Sequence, residues 1–158
     1  TDLAQLARAV VENLRQQAEA AGSEISLQAP SELPGVWDEF RIEQVLTNLL
    51  TNALRYGGGQ PVAMTVEQVG AGEDGFARVS VRDRGIGIAA EDQARIFEQF
   101  ERTEHSRKHA AGLGLGLYIT RQIVDLHGGS IGVESAPGEG STFSVELPLA
   151  APRGSAQP

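Results

Sequence analysis

Nineteen glycines stand among 158 residues, most of them gathered at 57–59, 85–87, 112–116, 128–129 and 138–140. Each cluster closes or opens a segment of regular apolar spacing. The chain therefore reads as short elements joined where the backbone turns sharply or approaches something closely. That many glycines exceeds what plain scaffolding needs.

Between those points two periods alternate. Residues 3–20 carry Leu3, Leu6, Val10, Val11 and Leu14 at helical spacing, with Gly22 as a stop. Residues 25–28 suit a short strand, 30–35 is turn-rich, and Val36 and Trp37 suit another short pairing segment. A second helix starts at Asp38 and is expected to bury Ile42, Val45, Leu46, Leu49, Leu50 and Ala53 before the first glycine cluster. Residues 62–69 and 76–81 predict an antiparallel hairpin, 90–97 a short helix, and 101–111 a polar, mobile loop. A further helix opens at 112–117 and runs to about 126, followed by strands at 130–134 and 142–147 around a turn at 137–140. There is no repeated βαβ unit. The order favours one domain over 1–150, an α+β fold with helices on one face of a mixed, mainly antiparallel sheet, and a disordered tail at 151–158.

Charge and composition narrow the function classes. A formal net charge of −8 argues against nucleic acid or an anionic membrane as partner, and leaves any phosphate site to a local basic patch. The absence of cysteine excludes disulfides, thiolate nucleophiles and zinc–thiolate sites, and suits a reducing, cytoplasmic compartment. No apolar run approaches the ~18 residues of a membrane span. The chain opens at Thr1 directly into helix, as a piece excised from a longer protein would.

Three constellations carry chemistry. In the second helix Asn48 and Asn52 lie one turn apart, with Arg55 three residues on, forming a polar ridge beside the buried stripe. Asparagine weakens a helix interior, so two in register imply something to bind. An amide oxygen suits a hard cation such as magnesium, and Arg55 suits the phosphates around it. Next, the run from Asp83 through Gly85 and Gly87 to Ile88 places a carboxylate at a strand end, ahead of glycines that admit a flat ligand. A carboxylate there accepts from adenine's amine and rejects guanine's carbonyl. Finally, Gly112, Leu113, Gly114, Leu115, Gly116 and Leu117 present free backbone amides at a helix start, a phosphate site that needs no side chain. Neither a dinucleotide fingerprint nor a P-loop is matched. Taken singly, each feature also has a plain structural reading: a surface asparagine, an Asp-Gly turn, a glycine-rich helix entry.

These features occur in this order, with Phe97, Glu98, Gln99 and Phe100 between the second and third and a turn from Gly138 to Phe143 near the end. Together they closely resemble the catalytic, ATP-binding domain of two-component sensor histidine kinases. The resemblance covers nearly the whole chain. It implies the Bergerat fold, a two-layer sandwich of a mixed sheet under three helices, with ATP held between the asparagine helix and a lid at 101–111. By matching positions, Asn52 is expected to ligate Mg2+ with Asn48 alongside, Arg55 to contact phosphate, and Tyr56 to lie against the base. Asp83 is expected to bind adenine's amine with Thr142 supporting it through water. Phe100 belongs to the phenylalanine box, and Arg102 in the lid is a candidate contact for the transferred group.

The resemblance also implies a phosphoacceptor histidine on a separate dimerisation domain, attached just before the helix at 1–21, and a response regulator served by the parent protein. His105, His109 and His127 lie outside the expected acceptor position, and without the dimerisation domain the isolated chain is expected to be monomeric and not to phosphorylate itself. ATP-hydrolysing branches of the superfamily usually carry glutamate where this chain has Asn48. An amide accepts no proton at neutral pH, which disfavours hydrolysis and suits transfer to a histidine. The chain departs from the common pattern at Leu113, at Ala110 and Ala111, at Glu101, and at Arg55 in place of lysine. Two other readings are a nucleotide-binding module without transfer activity and an anti-sigma serine kinase of the same superfamily.

Overall fold

The computed structural model describes residues 1–71, 74–93, 96–98 and 113–150, with backbone alone at 113–115. In chain order the elements are α1 (Leu3–Asn13), α2 (Arg15–Ala21), β1 (Ile25–Gln28), α3 (Glu39–Tyr56), β2 (Val62–Val69), β3 (Phe76–Asp83), α4 (Ala90–Gln93), α5 (Leu113–Leu126), β4 (Ser130–Ser135) and β5 (Ser141–Pro148). The sheet runs β1-β2-β3-β5-β4. β1 lies parallel to β2, and every other neighbouring pair is antiparallel. This is the expected α+β sandwich with a mixed sheet.

Strand alternation decides which face the helices cover. Ala77, Val79, Val81 and Asp83 of β3 are buried, as are Ser141, Phe143, Val145 and Leu147 of β5, while the residues between them are not. Over this face lies α3, burying Ile42, Val45, Leu46, Leu49, Leu50, Ala53 and Leu54. Each large aliphatic side chain buried there contributes about 1.5–3 kcal/mol. Asparagine weakens a helix by less than about 0.7 kcal/mol, so the stripe easily carries Asn48 and Asn52. From one side α1 adds Leu3, Ala4, Ala7, Val10 and Val11; from the other α5 adds Leu117, Ile123 and Val124.

Two elements differ from expectation and a third is described only in part. The helix predicted over 3–20 is broken at Leu14, whose backbone (φ −96°, ψ 3°) leaves helical geometry while its N–H reaches the Val10 and Val11 carbonyls at 3.1 and 3.3 Å. The bend keeps Leu14 and Ala18 on the core as the chain turns towards β1. Val36 and Trp37 form a clasp and not a strand: the Val36 N–H donates to the Leu149 carbonyl (3.0 Å) and Trp37 Nε1 to that of Pro148 (2.8 Å). The helix expected over 90–97 is described only to Gln93. There the side-chain amide donates to the Ile88 and Ser135 carbonyls at 2.9 and 2.8 Å, tying α4 to the end of β4.

Candidate functional site

The site grows from the last two turns of α3. Asp38 caps the start of this helix by accepting the Arg41 N–H (3.2 Å), and the apolar stripe fixes its rotation on the sheet. That rotation turns Asn48, Thr51, Asn52, Arg55 and Tyr56 into a cleft of about 190 Å³, closed opposite by Gly116 and Leu117 of α5. Asn48 Nδ2 donates across the cleft to Thr120 Oγ1 (3.2 Å) and the Gly116 carbonyl (3.4 Å). Asn52 Oδ1 is buried without a hydrogen-bond partner among the described residues. Native interiors rarely leave such an acceptor unmet unless a ligand, ion or water completes it.

Asp83 ends β3 on the inward face and is only 3% exposed. Its Oδ1 accepts the Gly85 N–H at 2.9 Å. Burial raises its pKa above the usual aspartate value, while hydrogen bonds from the Gly85 and Ser141 backbones pull it partly back. The glycines after it are imposed by close backbone approach. A Cβ at Gly85 would lie 1.7 Å from the Tyr56 carbonyl oxygen, and one at Gly87 (φ 74°) would lie 1.9 Å from that of Ala136. Hydrogen bonds from Ile86 N–H to Tyr56 (3.3 Å), from Gly138 N–H to Ile86 (2.7 Å) and from Ile88 N–H to Ser135 Oγ (2.8 Å) complete the stack. The loop is thus pressed between the end of α3 and the β4–β5 turn, which sets Asp83 beside Gly57 at the end of α3, next to the cleft but not among the residues that line it.

Two expected roles need correcting. Thr142 pairs with Arg82, and alternation along β5 points it to the sheet's other face, away from Asp83. The residue opposite Asp83 is Ser141, which is buried and whose hydroxyl lies 2.8 Å from Ser135 Oγ. The inward parity of Phe143 was the sequence signal for Ser141. Residues 113–117 already belong to α5, so the amides of the first turn lack intrahelical partners while the Leu117 amide is committed to the helix ladder. Leu117 serves the cleft with its buried side chain. Thr51 and Thr120 join the site without having been singled out; buried polar atoms on an apolar stripe were the available sign.

The phenylalanine box enters the core through Phe97, whose ring meets Phe143 edge to face with centroids 6.2 Å apart. Phe100, Arg102, Gly112, the expected lid at 101–111, and the tail at 151–158 lie outside the described residues, as do His105 and His109. His127 sits at the far end of α3, where Nε2 accepts the Asp38 N–H (3.1 Å) and Nδ1 lies 2.9 Å from the Ile123 carbonyl. Among the described residues no three His, Asp or Glu side chains are grouped to hold a metal, and no helix is long and apolar enough to cross a membrane. Any cation at the ridge therefore meets amide oxygens, which are weak alone and need phosphate oxygens to complete the shell. The orphaned Asn52 oxygen fits a magnesium ion delivered with a nucleotide.

A fold and a cleft of this kind suit a nucleotide-binding module, and comparison with known proteins gives the class. Residues 37–151 match the family described as histidine kinase-, DNA gyrase B-, and HSP90-like ATPase. Full-length ShkA, crystallised in complex with AMPPNP, superposes with a TM-score of 0.81 at 35% identity, over 96% of this chain and 31% of that one. The catalytic domain of the histidine kinase ThkA, in a nucleotide-free form, gives 0.79 at 32% identity, over 95% and 97% of the two chains. The adaptive-response sensory kinase SasA of Prochlorococcus marinus is 37% identical over 150 residues, 94% of this chain and 39% of SasA. The chain thus spans well under half of that curated relative. It belongs to the histidine kinase-, DNA gyrase B- and HSP90-like ATPase family, as a catalytic ATP-binding domain of the sensor histidine kinases.

Proposed function

We propose that the chain binds Mg-ATP between α3 and α5 and donates the γ-phosphate to a histidine on a separate dimerisation domain, from which a response regulator is served. One observation carries this reading: the buried, unpaired Asn52 oxygen in a cleft shared with Arg55 and the first turn of α5. In it, Asp83 accepts from adenine's amine with Ser141 beside it, and Tyr56 lies against the base. Gly85, Gly87 and Ile88 shape the base pocket. Asn52 would hold magnesium with Asn48 alongside, and the ion would neutralise charge on the phosphates. Arg55 and the free amides at the start of α5 would position the phosphates.

The acceptor imidazole nitrogen forms a bond to the γ-phosphorus as the bond to the bridging oxygen breaks and ADP leaves. No side chain has to activate water, which agrees with an amide at Asn48. On this reading the chain works in the cytoplasm, whether or not its parent protein is anchored in the inner membrane, and the isolated chain is a monomer that cannot phosphorylate itself. Calorimetric titration with ATP and then GTP in magnesium is the test, repeated on Asp83→Asn. ATP binding without GTP binding, lost in the variant, supports the assignment; failure of the parent chain to bind ATP overturns it.

A further inference from the structure

Thr120 lies on α5 with its side chain fully buried, on the helix that also buries Leu117, Ile123 and Val124. A valine would occupy the same space there without a polar atom to satisfy, so the hydroxyl calls for a separate reason. It donates to the Gly116 carbonyl one turn back (2.9 Å) and accepts from Asn48 Nδ2 (3.2 Å). Both contacts of the Asn48 nitrogen are thereby on α5. The two faces of a primary amide differ only in which end donates, and nothing on α3 itself chooses between them.

We propose that Thr120 is a positioning residue: its hydroxyl holds the Asn48 nitrogen against α5 and so presents the Asn48 oxygen, next to that of Asn52, to the magnesium nucleotide. This rests on the function proposed above. The same hydroxyl joins the polar ridge of α3 to Gly116, beside the longer direct bond from Asn48 Nδ2 to the Gly116 carbonyl (3.4 Å).

The test compares Thr120→Val with Thr120→Ser, using two readouts. In the nucleotide-free chain, the Asn48 side-chain NH2 signals in NMR should be protected from solvent exchange, lose that protection in Thr120→Val, and keep it in Thr120→Ser. In calorimetry, the gain in ATP affinity on replacing EDTA by magnesium should shrink about three- to tenfold in Thr120→Val, the loss of one hydrogen bond, and hold in Thr120→Ser. A purely structural role would lower the melting temperature and leave that ratio alone. Thr120→Ala removes the hydroxyl without adding a methyl and stands in should the valine variant not fold. A folded hydroxyl-free variant with unchanged amide protection and unchanged magnesium gain overturns the proposal. Absence of ATP binding by the parent chain would instead sink the functional reading, while the amide protection still decides the orientation of Asn48.

Discussion

Replacing Asn52 by leucine should make the nucleotide-free chain more stable while removing its function. The Asn52 oxygen is buried and unpaired among the described residues, and an unmet buried acceptor costs about 1–3 kcal/mol. Leucine is also the better helix former, by up to about 0.7 kcal/mol. Position 52 borders a cleft of about 190 Å³, so the larger apolar end has room and overpacking does not offset the gain. The expected result is about 1–3 kcal/mol of added stability, which in a domain of this size raises the melting temperature by about 2–12 °C. Urea melts without nucleotide give the first quantity, and titration with ATP in magnesium should show its binding lost. An Asn52→Leu chain no more stable than the parent, or one that still gains ATP affinity from magnesium, would refute the reasoning.

Gly87→Ala forces a Cβ to within 1.9 Å of the Ala136 carbonyl at a positive φ; it should destabilise by about 2 kcal/mol or more, read from the urea midpoint. Because burial raises the Asp83 pKa in the folded chain, that group favours folding below the ordinary value of 3.8 and loses this contribution as pH rises through the folded value. Asp83→Asn should therefore gain stability on the parent over that rise, as melts at stepped pH would show, and ATP binding by the parent should weaken on acidification from a higher pH than an ordinary aspartate would give. Ser141→Ala should lower ATP affinity about three- to tenfold, and Thr142→Ala should leave it within about twofold, a contrast that calorimetry checks directly.

Local periodicity and local chemistry made α3 legible from sequence. Asp38 marks its start, the stripe from Ile42 to Ala53 its buried face, and Gly57 its end. The hairpin of β2 and β3 was equally clear, its strands matching to within two residues at Asp83. What sequence did not carry were facts settled between elements. The break at Leu14 has neither glycine nor proline; it follows from the need to keep Leu14 and Ala18 buried while the chain turns to β1. Position matching assigns the support of Asp83 to Thr142, whereas the register with β3 sets Ser141 opposite Asp83, in line with the inward parity of Phe143. The stripe of α5 marks Thr120 as a polar residue on a buried face, but its partner Asn48 lies 72 positions away in the chain, so the contact itself is settled only by the fold.

The clasp at the beginning of α3 fixes where the two ends of the described chain lie relative to the cleft. Thr1 is bonded to Gly35 and Trp37, next to the Asp38 cap, and Val36 is bonded in turn to Leu149. Both ends of the described chain are therefore anchored at one corner. Along the axis of α3 that corner lies about 21 Å from Asn52, at 1.5 Å per residue. On the function proposed above, a histidine-bearing domain joined at Thr1 would start from the corner remote from Asn52 and would have to cross the length of α3 to meet the cleft.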